Sequence, residues 1–186
     1  MAKYNISENL TLVRILESWA TTEGCLNRTE DILSWIERKN QSTVVKIGKI
    51  PYAYDGYWYY DGEAGEIRNR NRSFFQIKGL VKRCGDSSVE QPIIIQDEIG
   101  YLGIIGKVID GILYFLMQAK IEPGNVNKIQ ISPTIQATKS NFMQAHGGNA
   151  PLFLEYFSNK ADYEVVVDQI QSEQSSRFLG KRNRNI

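Results

Sequence analysis

The sequence predicts an α+β domain: a mixed or largely antiparallel sheet flanked by helices, with a helical pair at the N-terminus. Three observations carry this. Apolar residues recur at helical spacing near both ends of the chain. Between them lie short β-prone runs separated by Asp-Gly turn signals. The chain has 186 residues, 42% apolar and 23% charged, which is the composition of one ordinary globular domain. A chain of this length buries about 70% of the surface its unfolded form exposes, so its core needs no disulfide or metal.

The elements follow in order. Leu12, Ile15, Leu16 and Trp19 give residues 8–20 a helical stripe. A second helix is expected over 29–39, with Thr29 as N-cap, Glu30 and Asp31 in the first turn, and Ile32, Leu33, Trp35 and Ile36 as its apolar face. Residues 1–42 therefore form an N-terminal helical segment, a lead-in or dimer arm, and 43–186 the main unit. Val44–Ile50, Tyr57–Tyr60, Ile67–Arg68 and Phe74–Val81 read as strands, with Asp61-Gly62 and Gly65 marking a turn. Ile93–Gln96, Tyr101–Ile109 and Ile112–Ile121 follow, the last two joined by the hairpin signal Asp110-Gly111. Lys128–Gln136 is a further strand, and its Pro133 suits an edge or a bulge. Pro151–Phe157 suits a short helix and Tyr163–Val167 is a β-branched run. From Asp168, Ile170, Gln174, Phe178 and Leu179 suggest a C-terminal helix ending near Gly180.

Several function classes are excluded. The formal charge is +1, so no global field draws the chain to nucleic acid or acidic lipid. Arg68, Arg70 and Arg72 form a small basic patch, but no RNA-binding motif accompanies it. Apolar runs are strand-sized and Met1–Asn9 lacks a signal-peptide core, so a cytoplasmic protein without a membrane partner is expected. Cys25 and Cys84 form neither a disulfide framework nor a CxxC site, and with His146 the only histidine the usual zinc sites cannot be assembled. There is no P-loop, GxSxG elbow or calcium loop. Gly100, Gly103 and Gly106 recur every third residue, which suits relief of crowding in a strand rather than a dinucleotide fingerprint.

Three segments are polar beyond the needs of a plain core. In the first, Gln118, Lys120 and Glu122 alternate onto one strand face, ahead of Pro123-Gly-Asn125. In the second, Thr134, Gln136 and Thr138 alternate and are followed by Lys139, Ser140 and Asn141, then His146 and a Gly pair. Such a loop fits a polar ligand. The third is the tail from Gln171 to Asn185, where Arg177, Lys181, Arg182 and Arg184 suit phosphate binding or a solvated helix end.

PIIIQDEIGYLGII (92–105), LMQAKIEPGNVNKIQISPTIQATKSN (116–141) and DQIQSEQSSRFLGKRNRN (168–185) closely resemble the NDP-hexose 2,3-dehydratase family. WYYDGEAGEIRNRNRSFFQIKGL (58–80) is similar to the family's preceding segment, and the resemblance runs from about residue 8 to the end. It implies a Nudix-like fold, although this sequence has no Nudix box, so diphosphate hydrolysis is not implied. The family carries two tandem copies of this unit. One copy here implies a homodimer that reproduces the tandem arrangement.

The resemblance also implies the chemistry. The substrate is a nucleotide-linked 4-keto-6-deoxyhexose, such as dTDP-4-keto-6-deoxy-D-glucose. A base removes the acidic C3 proton, an acid assists loss of the C2 hydroxyl, and the enol becomes a 3,4-diketo-2,6-dideoxyhexose. A ketoreductase is expected to act next, and no cofactor is required. His146 suits the acid/base by its ordinary pKa near 6.5, with Glu122 and Glu173 as carboxylate alternatives. Lys120 or Lys139 suits enolate stabilisation. Gln118, Gln136, Thr138, Ser140 and Asn141 suit orientation of the sugar hydroxyls, Arg177, Lys181, Arg182 and Arg184 the diphosphate, and Gln174 and Asn183 are further substrate-binding candidates. Tyr57, Trp58 or Tyr101 suits stacking on the nucleobase. The competing readings are a non-catalytic nucleotide-sugar-binding half that needs a partner chain, and a related keto-sugar dehydratase or isomerase.

Overall fold

A computed structural model describes residues 10–52, 55–138, 150–157 and 163–186. The expected α+β class holds. Helices α1 (Leu10–Ala20) and α2 (Thr29–Ser42) precede a series of short strands. Arg28, not Thr29, precedes the first turn of α2, and its carbonyl accepts from the Asp31 and Ile32 amides without a side-chain cap. No helix among the described residues is long and apolar enough to cross a membrane.

The first sheet is antiparallel in the order β1 (Trp58–Asp61), β2 (Glu66–Asn69), β3 (Gln76–Cys84), β4 (Ser87–Ile95). The Asp61 carboxylate accepts from the Glu63 and Ala64 amides, each at 3.1 Å, and Gly65 closes the turn at φ +63°. β3 and β4 pair over nine positions around a Gly85-Asp86 turn. The polar run Ser87–Gln91 carries no strand signal of its own and was not expected as strand. It is held by the β3 ladder at an outer edge, where Pro92 is tolerated.

The expected strand Val44–Ile50 does not form. These residues take no regular structure, and Val44, Ile47 and Ile50 are exposed. β-propensity alone does not hold a strand that lacks a ladder partner. The long runs 101–109 and 112–121 are each divided: β5 (Gly100–Gly103) and β6 (Ile105–Ile109), then β7 (Ile112–Leu116) and β8 (Gln118–Ile121). The Asp110-Gly111 hairpin joins β6 to β7 as expected, both turn residues having positive φ. Pro133 likewise separates β9 (Ile129–Ser132) from β10 (Ile135–Ala137).

The expected C-terminal helix is replaced by a hairpin, β11 (Gln169–Ser172) and β12 (Arg182–Asn185). Gly180 does take a left-handed conformation (φ +64°), but within the hairpin connection rather than as a helix cap. β12 lies parallel to β5 and completes a second sheet in the order β10-β5-β12-β11. That ladder supplies more backbone pairing than the weak helical spacing of Ile170, Phe178 and Leu179 does. The same connection reaches the first sheet: Ile94 donates to the Arg177 carbonyl and Leu179 donates to the Ile94 carbonyl.

A small core lies against the second sheet, where Ile135, Ala137 and Phe157 are buried with Ile105, Leu154 and Ile186 packed around them. Phe157 closes a 3-10 turn, Leu154–Phe157, within the stretch expected to be helical. Gly103 is required here, because a Cβ would lie 2.0 Å from the Phe157 ring. A Cβ on Gly100 would lie 2.6 Å from Asn183 Oδ1. The three-residue glycine spacing thus relieves crowding, as the sequence suggests. The helices attach at the hairpins: Ser18 Oγ donates to the Leu113 carbonyl, and the Asn40 side chain brackets Ile129, donating to its carbonyl (3.1 Å) and accepting from its amide (2.9 Å).

Candidate functional site

The β8–β9 hairpin has two unlike faces because its register pairs like with like. Gln118 lies opposite Ser132 and Lys120 opposite Gln130 on one face; Ala119–Ile131 and Ile121–Ile129 occupy the other. Burial does not divide the hairpin by face: Ile129 and Ser132 are buried while Ile121 and Ile131 are exposed, and the polar face meets Gln136 on β10. Between them lies a concave space of about 260 Å³, bounded by Lys120, Glu122, Gln130, Ser132 and Gln136 among others.

The charged centre of this cleft is an ion pair, Lys120 Nζ to Glu122 Oε1 at 2.7 Å. Lys120 also reaches the Gln136 carbonyl at 3.5 Å, and Ser132 Oγ reaches the Gln136 amide oxygen at 3.5 Å. Asn125 fixes the turn beside Glu122, donating to the Lys120 and Lys128 carbonyls. Gln118 donates to the Pro133 and Thr134 carbonyls, which anchors the chain where it bends between β9 and β10. Buried Thr134 completes that corner, donating to the Leu116 carbonyl and accepting from the Ile105 amide. The hairpin thus presents an ammonium and a carboxylate in contact, surrounded by amides and a hydroxyl. Such a set can hold a carbonyl oxygen, orient hydroxyls and exchange a proton.

The polar surface continues across the second sheet. Register puts Gln136, Leu102, Asn185 and Gln169 in one row, and Gly100, Asn183 and Gln171 in the next row on the same side. Asn183 is buried and donates to Glu173 Oε2 at 2.5 Å, while the other Glu173 oxygen accepts from the Gln174 amide. Lys181 is buried too, its ammonium donating to the Glu98 carbonyl. Burial lowers its pKa, against the opposing pull of Glu98, Glu173 and Asp97.

The opposite side of the sheet carries Tyr101 and Arg184 in register. Arg184 makes a forked pair with Asp168, Nε to Oδ1 at 2.6 Å and Nη2 to Oδ2, and lies over the Tyr101 ring at 5.6 Å. The Asp168 hydrogen bond raises the guanidinium pKa further above its ordinary value and lowers that of the carboxyl.

Of the residues the sequence singles out, Lys120, Glu122 and Gln136 share the cleft and Gln118 braces it. Glu173, Lys181 and Asn183 form a second cluster at the end of the neighbouring sheet. Arg177 and Arg182 are exposed, and neither makes an ion pair among the described residues. Gln174 lies in the turn between β11 and β12. Trp58 opens β1 of the first sheet and Tyr57 immediately precedes it; the Trp58 ring lies 4.8 Å from Phe75 and 6.4 Å from Phe74. Thr138 follows β10; Lys139, Ser140, Asn141 and His146 lie outside the described residues. Gln130, Ser132 and Asn125 are cleft residues that the sequence reading did not single out. The alternation Lys128, Gln130, Ser132 along an expected strand is the signal that points to the first two.

Comparison with known proteins adds an independent line. Residues 29–186 match the family described as NDP-hexose 2,3-dehydratase. The chain is 44% identical over 181 residues to a dTDP-4-dehydro-6-deoxy-alpha-D-glucopyranose 2,3-dehydratase of Amycolatopsis orientalis, covering 93% of this chain and 38% of that protein. Proteins of the same description from Saccharopolyspora spinosa and Streptomyces violaceoruber are 40% and 42% identical, covering 85% and 82% of this chain and 33% and 35% of theirs. The chain thus spans about a third of the length of the curated relatives it matches.

Proposed function

The chain belongs to the NDP-hexose 2,3-dehydratase family, and from that premise we propose that it dehydrates dTDP-4-keto-6-deoxy-D-glucose across C2 and C3. The observation that carries this reading is the Lys120–Glu122 pair, in contact at 2.7 Å within a cleft lined by amides. A 4-keto sugar is acidic at C3 because its anion is an enolate delocalised onto the C4 oxygen. In this reading the Lys120 ammonium hydrogen-bonds that oxygen as charge develops, and the Glu122 carboxylate takes the C3 proton. Glu173 is the weaker candidate base, since both of its oxygens are already engaged.

The C2 hydroxyl then leaves as water, taking a proton from an acid, for which His146 has the suitable ordinary pKa near 6.5. Protonation of the resulting enol at C2 gives the 3,4-diketo-2,6-dideoxyhexose. Gln136, Gln130 and Ser132 orient hydroxyls, with Thr138, Ser140 and Asn141 continuing the same polar run and Lys139 as a second cation. Arg177 and Arg182, the exposed cations of the tail, bind the diphosphate, and Tyr57 or Trp58 stacks on the base. A second copy of the chain supplies the other unit of a two-unit assembly, and a ketoreductase consumes the unstable diketone.

The test is incubation with dTDP-4-keto-6-deoxy-D-glucose in D₂O, followed by mass spectrometry and NMR. Loss of water with deuterium at C2 is the expected result. Exchange at C3 without water loss would locate the base but refute the assigned elimination. No reaction at concentrations where the chain is dimeric would overturn the reading.

A further inference from the structure

The basic patch Arg68, Arg70 and Arg72 lies at one end of the first sheet, and the dehydratase reading gives it no part. Tyr59 of β1 is in register with Arg68 of β2, and the pairing runs one step further, the Arg70 amide donating to the Tyr57 carbonyl at 3.0 Å. Tyr57, Tyr59, Arg68 and Arg70 therefore share one face.

The three arginines are not alike. Arg68 is committed: it pairs with Asp61 and with Glu66 (3.0 Å), and its Nε donates to the Tyr59 hydroxyl at 3.2 Å. Lys78 takes the other Glu66 oxygen at 2.8 Å, so Asp61 and Glu66 are both neutralised in place. Arg70 and Arg72 are exposed, and neither belongs to an ion pair among the described residues. Arg70 Nε donates to the Gly56 carbonyl at 2.9 Å, and its guanidinium lies 5.6 Å from the centre of the Tyr59 ring. Those two contacts orient the group and leave its terminal nitrogens for a ligand.

The connection that carries Arg72 is held in one shape. Asn69 is fully buried; its side-chain nitrogen donates to the Ser73 carbonyl, and its oxygen accepts from the Ser73 amide (3.1 Å) and hydroxyl (3.4 Å). Within that clasp Arg72 has φ +51°, and Phe74 just beyond it φ +69°. Residues with side chains are uncommon in this region, and a bulky one is an outlier. Such strain persists where the surroundings over-determine it, and it clusters at ligand clamps. Beside the clasp, Tyr57 stands edge-on to Trp58 at 6.5 Å and is 48% exposed.

We infer that this end of the first sheet is a binding site for a nucleoside diphosphate, Arg70 and Arg72 taking the phosphates and the Tyr57 ring the base. Two guanidiniums without carboxylate partners, on a pre-shaped loop, match two adjacent phosphates, which guanidinium forks bind in bidentate fashion. An exposed ring beside them suits a base. A nucleic acid would need a longer track of cations than these two. The same chemistry serves the nucleotide half of the sugar substrate or a free nucleotide held apart from it. Only the choice of base rests on the dehydratase reading.

The experiment is calorimetric titration of the full chain with dTDP, with circular dichroism melts of every variant. The wild type is expected to bind. Arg70→Gln and Arg72→Gly should each weaken binding about tenfold or more, and Tyr57→Leu about fivefold or more. Arg72→Gly also relieves the positive φ, so its Tm should hold or rise, whereas loss of binding through misfolding would lower it. Arg83→Gln, near the far end of the β3–β4 hairpin, should bind as wild type does. A chain that does not bind dTDP, or Arg70 and Arg72 variants that bind it unchanged, would overturn the inference. Turnover identifies the source: a raised KM for the sugar nucleotide with kcat held puts the substrate's own diphosphate here rather than on Arg177 and Arg182, and an unchanged KM with dTDP binding lost marks a separate nucleotide site. A chain that binds dTDP by these rules without turnover refutes the dehydratase reading alone.

Discussion

Gly103→Ala tests the packing on which the candidate site rests. An ideal Cβ at this position falls 2.0 Å from Phe157 Cε1, 2.6 Å from Cζ and 2.8 Å from Cδ1. Ordinary carbon contacts are about 3.5–4.0 Å, so the ring or the strand must yield by roughly 1.5 Å. The ring cannot simply swing aside, because Phe157 is 6% exposed and packs on Ile135 and Ala137. Overpacking of this kind costs about 1–3 kcal/mol, with complete expulsion of the ring, about 3–5 kcal/mol, as the ceiling. Urea unfolding followed by far-UV circular dichroism measures the loss. Phe157→Leu in the same background should recover part of it, giving a coupling of about 0.5–3 kcal/mol between the two sites. A Gly103→Ala protein within about 0.5 kcal/mol of wild type, or strict additivity of the pair, would refute the account. The consequence for function is direct: β5 pairs with β10, and Gln136 sits opposite Leu102.

Glu122→Gln should lower kcat by about 10²–10⁴-fold, while stability changes by less than about 1 kcal/mol because the pair is partly exposed. Steady-state kinetics beside a urea melt separates the two effects. Lys120→Met should lower kcat similarly, and an unchanged kcat would remove it from enolate stabilisation. Thr134→Val deletes a buried hydroxyl that serves both Leu116 and Ile105, and should cost about 1–3 kcal/mol in the same melt. The Arg184 hydrogen bond lowers the Asp168 pKa below its ordinary 3.8, so its contribution to stability is full above that value and is lost as pH falls below it. Asp168→Asn should therefore flatten the acid limb of a stability–pH curve and leave its shape near neutrality intact.

The two N-terminal helices, the Asp110-Gly111 hairpin, the Asp61–Gly65 turn and the crowded glycines were legible because each rests on local chemistry. Residue spacing, turn conformation and the absence of a Cβ act within a few residues. Gln118, Lys120 and Glu122 were legible for the same reason, since strand alternation alone puts them on one face. The partners of that face were not, because Gln130, Ser132 and Gln136 arrive through a hairpin and a proline bend.

The C-terminal hairpin shows the limit most clearly. Residues 168–180 carry a tolerable helical spacing, yet β12 is drawn beside β5, about eighty residues earlier in the chain. The reverse holds at Val44–Ile50, where strong β-propensity finds no ladder. Sequence by itself determined the α+β class, the two N-terminal helices, the tight turns, the family and the identity of the polar segments. Tertiary structure alone decided which strands pair beyond the Asp110-Gly111 hairpin, that Lys181 is buried, that Arg184 is held by Asp168, and that Lys120 and Glu122 share a cleft with Gln136. Local preferences are worth a few tenths of a kcal/mol per residue, whereas satisfying buried backbone groups and packing an apolar face are worth more at each position and depend on residues distant in sequence.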